Sequence, residues 1–199
     1  MPTSVIHEIV GRKIATKYNN LDNYNFYLGN IAPDSVNLNG FAESKIRWEA
    51  HIRDANLSVW KNNAIKFYND YKNSYDESFL KGYVTHLFTD ILYDEKYYDR
   101  VVIPMVKINL QGHQAHLYML KEMDAYGINN EDYKYVTNVL KSNNNTYNIR
   151  NINNELLLGW KEKITNKELP NIKVEFVKDF IIDELTNSVL EELQKNNIL

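Results

Sequence analysis

The chain contains no cysteine. This absence excludes disulfide bonds, thiolate metal sites and a cysteine nucleophile. Any bound metal must therefore be held by histidine, aspartate, glutamate or backbone groups. Only five histidines are present, so imidazole chemistry has few candidate residues.

Long apolar runs are also missing. No stretch approaches the roughly 18 consecutive apolar residues that argue for a transmembrane helix. The first twenty residues are amphipathic and lack both the apolar segment and the cleavage site of a signal peptide. We therefore expect a soluble, cytoplasmic protein without a transmembrane segment.

Positive charge is not concentrated anywhere in the sequence. The formal net charge is −3, the sequence pI is about 6.0, and the lysines are scattered. A nucleic-acid-binding surface needs a basic stripe or patch, so we expect no nucleic-acid partner.

Several catalytic motifs are absent. The sequence has no glycine-rich phosphate loop, no G-x-S-x-G elbow and no H-E-x-x-H zinc motif. It also lacks the histidine-aspartate dipeptide that helical phosphohydrolases of the HD type require. A histidine and aspartate constellation is the chemical signal that remains.

Helical periodicity dominates the sequence and predicts an all-α protein. Strand-like alternation is limited to short ambiguous runs at 101–106 and 172–177. The length fits one domain, with a metal-binding helical core at 1–142 and a C-terminal helical extension at 143–199 packed on it. Helices are predicted at about 4–17, 21–30, 43–56, 57–73, 76–97, 111–125, 131–142, 154–165 and 174–196.

Five histidines and aspartates form the candidate metal-ligand set. His86 and Asp90 are four residues apart in GYVTHLFTDILYD, which places them on one face of the predicted helix 76–97. His7 and His51 belong to other predicted helices, and Asp34 follows Pro33 in a predicted loop. Zinc binds imidazole nitrogen and carboxylate oxygen, and a catalytic zinc needs about three protein ligands. The set suffices for one such site and part of another.

The order of these residues resembles the zinc-dependent phospholipase C family. The resemblance rests on His7, the PD dipeptide ending at Asp34, His51 and the pair His86-x-x-x-Asp90, and covers about residues 2–98. It implies a multi-helical orthogonal bundle of the phospholipase C/nuclease fold, with one to three Zn²⁺ ions that serve phosphodiester hydrolysis.

The resemblance also implies individual roles. Asp34, His51, His86 and Asp90 correspond to the ligands of one zinc, and His7 with the second oxygen of Asp90 to part of an adjacent site. Asp34 and Asp90 are the implied catalytic residues, Asp34 orienting water and Asp90 bridging the ions. In the family the N-terminal amine of a processed chain completes the adjacent site, whereas here His7 follows closely on Met1.

A third family zinc uses two histidines and a glutamate, with an H-x-x-x-E pattern that is missing after Asp90. His113 and His116 with Glu122 are the available substitutes. The alternative for the two histidines is an exposed helix face that carries two polar rings.

Other residues are candidates for supporting roles. Asp94, one turn beyond Asp90, and Asp54 could each accept the second ring N–H of a ligand histidine, or could be solvated carboxylates. Trp48 corresponds to an aromatic of the family's choline pocket and could hold a quaternary ammonium, or could be an ordinary core residue. Gly82 suggests close approach of another segment.

These observations predict a metal-dependent phosphoesterase in which a metal-activated water attacks a phosphodiester. The substrate is expected to be a small molecule or a lipid headgroup. One alternative is a nuclease of the same fold. Another is a non-enzymatic scaffold in which Asp34, His51, His86 and Asp90 hold a structural metal. The C-terminal helices could also form a homo-oligomer interface.

Overall fold

Ten α-helices make up most of the protein in a computed structural model that describes residues 1–18, 20–107 and 112–199. The side chains at 105–107, 112 and 113 lie outside the described part. The helices are α1 (Ser4–Ala15), α2 (Tyr24–Ile31), α3 (Ser44–Ala50), α4 (Leu57–Tyr71), α5 (Glu77–Leu92), α6 (Tyr98–Lys107), α7 (Gly112–Ile128), α8 (Glu131–Lys141), α9 (Asn154–Thr165) and α10 (Asp179–Lys195).

The all-α prediction is confirmed. The described residues contain no strand, and Ile149 and Ile152 form an isolated antiparallel bridge. Within those same residues no helix is both long and apolar enough to cross a membrane.

Polar side chains fix the starts of five helices. At each start an asparagine or aspartate oxygen accepts a hydrogen bond from a backbone N–H of the first turn, which satisfies a donor that the helix itself cannot pair. The capping residues are Asn23, Asn56, Asp76, Asn130 and Asn153. At α1, Thr3 is the N-cap but its side chain makes no capping bond.

Several predicted boundaries differ from the structure. The helix predicted at 43–56 ends at Ala50, and the helix predicted at 174–196 begins at Asp179. The helix predicted at 76–97 ends at Leu92 and continues as a π-helical turn, Tyr93–Tyr97, into α6. The ambiguous run 101–106 belongs to α6. The predicted loop around Asp34 is a 3₁₀ helix, Pro33–Asn37, because Pro33 suits the first position of a helical turn.

Helix α5 lies at the centre of the bundle. Most of its residues are buried, and it packs against α1, α2, α4 and α10. Helix α9 packs against the 3₁₀ helix and α8, while α10 also covers α1. The C-terminal helices therefore cover α1, the 3₁₀ helix and α5, which carry four of the five candidate ligands.

Two glycines allow α2 and α5 to cross with their backbones in contact. A Cβ added at Gly82 would overlap the carbonyl oxygen of Phe26, and one added at Gly29 would overlap the carbonyl oxygen of Phe79. The close approach expected at Gly82 is thus the approach of α2, one turn before His86.

Candidate metal centre

All five predicted ligand residues converge in the interior of the bundle. His7 comes from α1, Asp34 from the 3₁₀ helix, His51 from the C-terminal end of α3, and His86 and Asp90 from α5. Four of the side chains are at most 1% exposed, whereas that of Asp34 is 13% exposed. The cluster therefore meets solvent through Asp34.

Three donor atoms of this cluster, from His51, His86 and Asp90, are mutually spaced as ligands of one small cation, and an Asp34 oxygen lies beside His51. His51 Nε2 lies 3.2 Å from His86 Nε2, 3.4 Å from Asp34 Oδ1 and 3.5 Å from Asp90 Oδ2. His86 Nε2 lies 3.4 Å from Asp90 Oδ2. A tetrahedron with metal–ligand bonds of 2.0–2.1 Å has edges of about 3.3 Å. The separations among His51, His86 and Asp90 fit three positions of a tetrahedral zinc site.

Backbone carbonyls orient two of the imidazoles. His86 Nδ1 lies 2.8 Å from the Asn30 carbonyl oxygen, and His51 Nδ1 lies 2.9 Å from that of Arg47. Because a carbonyl oxygen can only accept, Nδ1 carries the hydrogen in each ring and Nε2 of the neutral ring presents a lone pair. A proton or a metal cation between the two Nε2 atoms relieves the repulsion of their lone pairs, and the surrounding carboxylate oxygens stabilise either positive charge.

Asp90 and His7 contain buried polar atoms that have no hydrogen-bond partner among the described residues. This holds for both carboxylate oxygens of Asp90 and both ring nitrogens of His7. Asp90 Oδ1 faces His7 Nε2 at 3.3 Å, while Oδ2 faces His51 and His86. Leaving such groups unsatisfied costs about 1–3 kcal/mol each. The arrangement has the geometry of a carboxylate that bridges two cation sites.

Burial and mutual charge shift the pKa values within the cluster. Burial, followed by the charge of His86, lowers the pKa of His7 to about 4. Burial favours the neutral form of Asp90, but the charges of His7 and His86 outweigh it and bring its pKa well below the ordinary value. For Asp34 burial is similarly outweighed, by His51 and His86, and the pKa is lowered.

Ser4 is a site residue that sequence reasoning missed. Its hydroxyl donates to Asp34 Oδ2 at 2.5 Å, while Asp34 Oδ1 faces His51. In the sequence Ser4 is a candidate helix cap, and nothing there separates that role from support of a carboxylate. The orienting carbonyls of Asn30 and Arg47 carry no side-chain signal at all.

The end of α3 is locked around His51. The Trp60 indole N–H donates to the His51 carbonyl at 2.8 Å, and the Tyr83 hydroxyl donates to the Ala50 carbonyl. Ile52 adopts a left-handed φ of 52°, which ends the helix directly after His51. These bonds hold the imidazole of His51 against α5.

Neither Asp94 nor Asp54 accepts a ring N–H of His51 or His86 in the structure. The Nδ1–H groups of His51 and His86 are already donated to carbonyls, so no carboxylate receives them. The backbone leaves α-helical geometry at Tyr93, and Asp94 instead binds Arg53 at 3.0 Å and the Met1 amine at 2.8 Å. Asp54 accepts the backbone N–H of Asn56.

Glu122 is bound to backbone rather than grouped with the other candidate ligands. Its Oε1 accepts the N–H groups of residues 175, 176 and 177, in the segment that leads into α10. His116 lines a cleft near Asp34, and the side chain of His113 lies outside the described residues. Among the residues whose side chains are described, His116 and Glu122 do not belong to a group that could hold a third ion.

Trp48 is 43% exposed and not a core residue. It lines a shallow groove together with Ile52 and Arg150, apart from the cleft that reaches Asp34. The structure thus does not place Trp48 in the cleft beside the cluster.

A cleft of about 720 Å³ opens beside the histidine and aspartate cluster. Asp34 and Ser4 lie in its wall, so the solvent-accessible edge of the cluster faces this space. The cleft is large enough for a small organic phosphoester.

Comparison of the chain with family models, curated proteins and solved structures finds no match. We therefore infer the function from the geometry of the cluster and its cleft.

Proposed function

We propose that this protein is a zinc-dependent phosphoesterase that hydrolyses phosphodiesters. The observation that carries this proposal is the convergence of the His51 and His86 Nε2 atoms and the Asp90 Oδ2 atom at the spacing of tetrahedral ligands. An Asp34 oxygen lies beside His51, and carbonyls hold both Nδ1–H groups. The nitrogen and oxygen donors match the preferences of Zn²⁺.

Asp34, His51, His86 and Asp90 would hold one ion, and His7 with the second oxygen of Asp90 would belong to a neighbouring site. When bound, zinc acidifies water and withdraws charge from phosphoester oxygens. Asp34 stands at the edge of the cleft, where its carboxylate can orient the attacking water. In the hydrolysis, water oxygen attacks phosphorus, the bond to the leaving oxygen breaks, and that oxygen takes up a proton.

Access to solvent favours a catalytic role over a purely structural one. A structural zinc site is closed, with four protein ligands and no exchangeable position. Here the wall beside Asp34 opens onto the cleft, and the cluster holds donors for a second ion. Paired ions about 3.5–4 Å apart are a recurrent arrangement in phosphoester hydrolysis.

We also propose that the helical bundle has the phospholipase C/nuclease fold. The ligand order along α1, the 3₁₀ helix, α3 and α5 is the order that suggests the phospholipase C/nuclease bundle. The substrate is a small phosphodiester or a lipid headgroup.

The test combines metal analysis with turnover. We expect the purified protein to contain zinc by mass spectrometry and to hydrolyse bis-(p-nitrophenyl) phosphate. Activity should disappear with a chelator and return with added zinc. Asp54→Asn is a matched control, because it removes a carboxylate outside the cluster.

Bound zinc without turnover would instead support the structural-metal scaffold. Faster cleavage of single-stranded oligonucleotides than of small diesters would support the nuclease alternative.

A further inference from the structure

Two cationic side chains share the cleft with Asp34. Arg47 comes from α3, one turn before His51, and Lys163 comes from α9. They reach the same space from different parts of the chain. A molecule bound next to Asp34 therefore meets positive charge from both elements.

Neither cation contacts a carboxylate of the described residues. Arg47 Nε donates to the Ala42 carbonyl at 2.9 Å, and its guanidinium lies 5.3 Å from the centre of the Phe41 ring. Lys163 Nζ donates to the Leu38 carbonyl at 3.0 Å and lies 5.1 Å from the centre of the Trp160 ring. Both cations thus retain charge that no acidic side chain neutralises.

The other arginine and the other lysine of the cleft each have a carboxylate partner, although Asp94 is shared with the Met1 amine. Arg53 binds Asp94 at 3.0 Å, and Lys167 binds Asp124 at 2.7 Å. This contrast singles out Arg47 and Lys163, since in the same cleft only they lack an acidic partner among the described residues.

We propose that Arg47 and Lys163 form an anion subsite that selects phosphodiesters carrying a second negative group. This inference rests on the proposed function, because it assigns the substrate class of the same site. Phe41, which is 73% exposed, and Trp160 supply an apolar wall beside the two cations. A cationic headgroup such as choline is disfavoured there by like charge.

Matched chromogenic probes test the subsite. Three p-nitrophenyl phosphodiesters are compared, in which the second ester group is 2-carboxyethyl, propyl or 2-(trimethylammonio)ethyl. We expect kcat/KM for the carboxyethyl probe to exceed that for the propyl probe by about tenfold, the order of one charge-assisted hydrogen bond. The cationic probe should be the slowest.

Variants assign the preference to the two residues. In Arg47→Gln and in Lys163→Gln the ratio of kcat/KM for the carboxyethyl and propyl probes should fall severalfold, and in the double variant it should approach one. Lys66→Gln is the matched control, because Lys66 is exposed on α4, pairs with Asp70 and does not line the cleft. Circular dichroism and zinc content show that each variant is folded.

The outcomes separate the two proposals. If no probe is hydrolysed, the phosphoesterase function itself fails. If the propyl probe is hydrolysed without preference for the carboxyethyl probe, or the cationic probe is favoured, only the anion subsite is overturned. A preference that persists in the double variant also overturns it.

The second anionic group could come from a soluble diester or from an acidic lipid. Glycerophosphoserine in solution and phosphatidylserine in vesicles carry the same phosphoserine group and distinguish the two sources. Release of phosphoserine from either, faster than release of phosphocholine from the matched choline compound, supports the subsite. Faster release of phosphocholine from both would contradict it.

Discussion

At the residue scale, the most informative feature of the protein is the pair of imidazoles that His51 and His86 direct at one another. Each ring is held through Nδ1 by a backbone carbonyl, so the position of its Nε2 is fixed without any acidic side chain. The position of Nε2 then depends on helix placement rather than on a rotatable carboxylate.

Removal of a central ligand should abolish metal binding. We expect His86→Ala and Asp90→Ala to lose bound zinc and phosphodiesterase activity together, because both residues face the shared centre of the cluster. Zinc per chain is measured by mass spectrometry on purified protein. His113→Ala serves as the control, and an equal loss of zinc there would contradict the assigned ligand set.

The Ser4 hydroxyl should tune metal affinity. Ser4→Ala removes the hydrogen bond that fixes Asp34 Oδ2, and loss of such support typically weakens metal binding 10–100-fold. Competition with a chromophoric chelator measures the zinc Kd. Thr3→Ala is the control, because the buried Thr3 hydroxyl has no hydrogen-bond partner among the described residues. Equal Kd values in the two variants would show that Ser4 does not support the site.

The sequence identifies the five clustered residues because their side chains have metal-binding chemistry and an ordered spacing. It does not reveal Ser4, Asn30 or Arg47 as supporting groups, since a serine near a helix start has a more common role and carbonyls occur at every residue. Glu122 is a residue that the sequence suggests wrongly as a candidate ligand. It is near two histidines in the sequence, but in the fold its carboxylate binds backbone N–H groups of residues 175 and 177.

At the element scale, the crossing of α2 and α5 determines the architecture around the site. We expect Gly82→Ala to destabilise the protein by more than about 3 kcal/mol, because its Cβ would overlap backbone that cannot move away independently. Urea denaturation measures the free energy of unfolding.

Gly159→Ala is the control for this substitution. Its Cβ would meet the terminal methyl groups of Leu38, which belong to a flexible side chain, and alanine has the higher helix propensity by about 1 kcal/mol. A loss of stability as large as that of Gly82→Ala would show that backbone overlap is not the cause.

Glu122 should contribute to stability and not to metal binding. Glu122→Ala leaves three backbone N–H groups without their acceptor, and we expect a loss of about 3 kcal/mol or more in unfolding free energy with zinc content unchanged. Glu122→Gln retains an acceptor oxygen and should lose less. Reduced zinc content in a folded Glu122→Gln variant would instead indicate a role in metal binding.

Helix existence is more predictable than helix ends. Periodicity gave the amphipathic helices, and Asp76 correctly marked the start of α5. The π-helical turn at 93–97 was not predicted. Over so few residues, the hydrophobic pattern does not distinguish a π-helix, which has more residues per turn, from an α-helix. The 3₁₀ helix at Asp34 was missed because proline, glycine and asparagine favour irregular backbone as readily as a short helix.

At the scale of the whole molecule, the metal should act as part of the folded structure. A ligand at 100 times its Kd stabilises by about 2.7 kcal/mol, which for a protein of this size corresponds to a rise in Tm of roughly 5–10 °C. We expect excess zinc to raise the Tm of chelator-treated protein by this order, as followed by calorimetry.

Magnesium provides the matched comparison for the thermal experiment. Mg²⁺ prefers oxygen ligands in octahedral geometry, so it should shift the Tm by much less than zinc. An equal shift with both ions would contradict a site built around two imidazoles.

The division into a core at 1–142 and an extension at 143–199 stays a prediction.

The contact between α2 and α5 also has an evolutionary consequence. The acceptor that aligns His86 is the main-chain oxygen of residue 30, so the alignment does not require a particular side-chain acceptor. The orientation of the imidazole consequently depends on any mutation that changes the separation of the two helices. Substitutions at Gly29 or Gly82 would therefore change the ligand geometry, although neither residue has a side chain that could bind a metal.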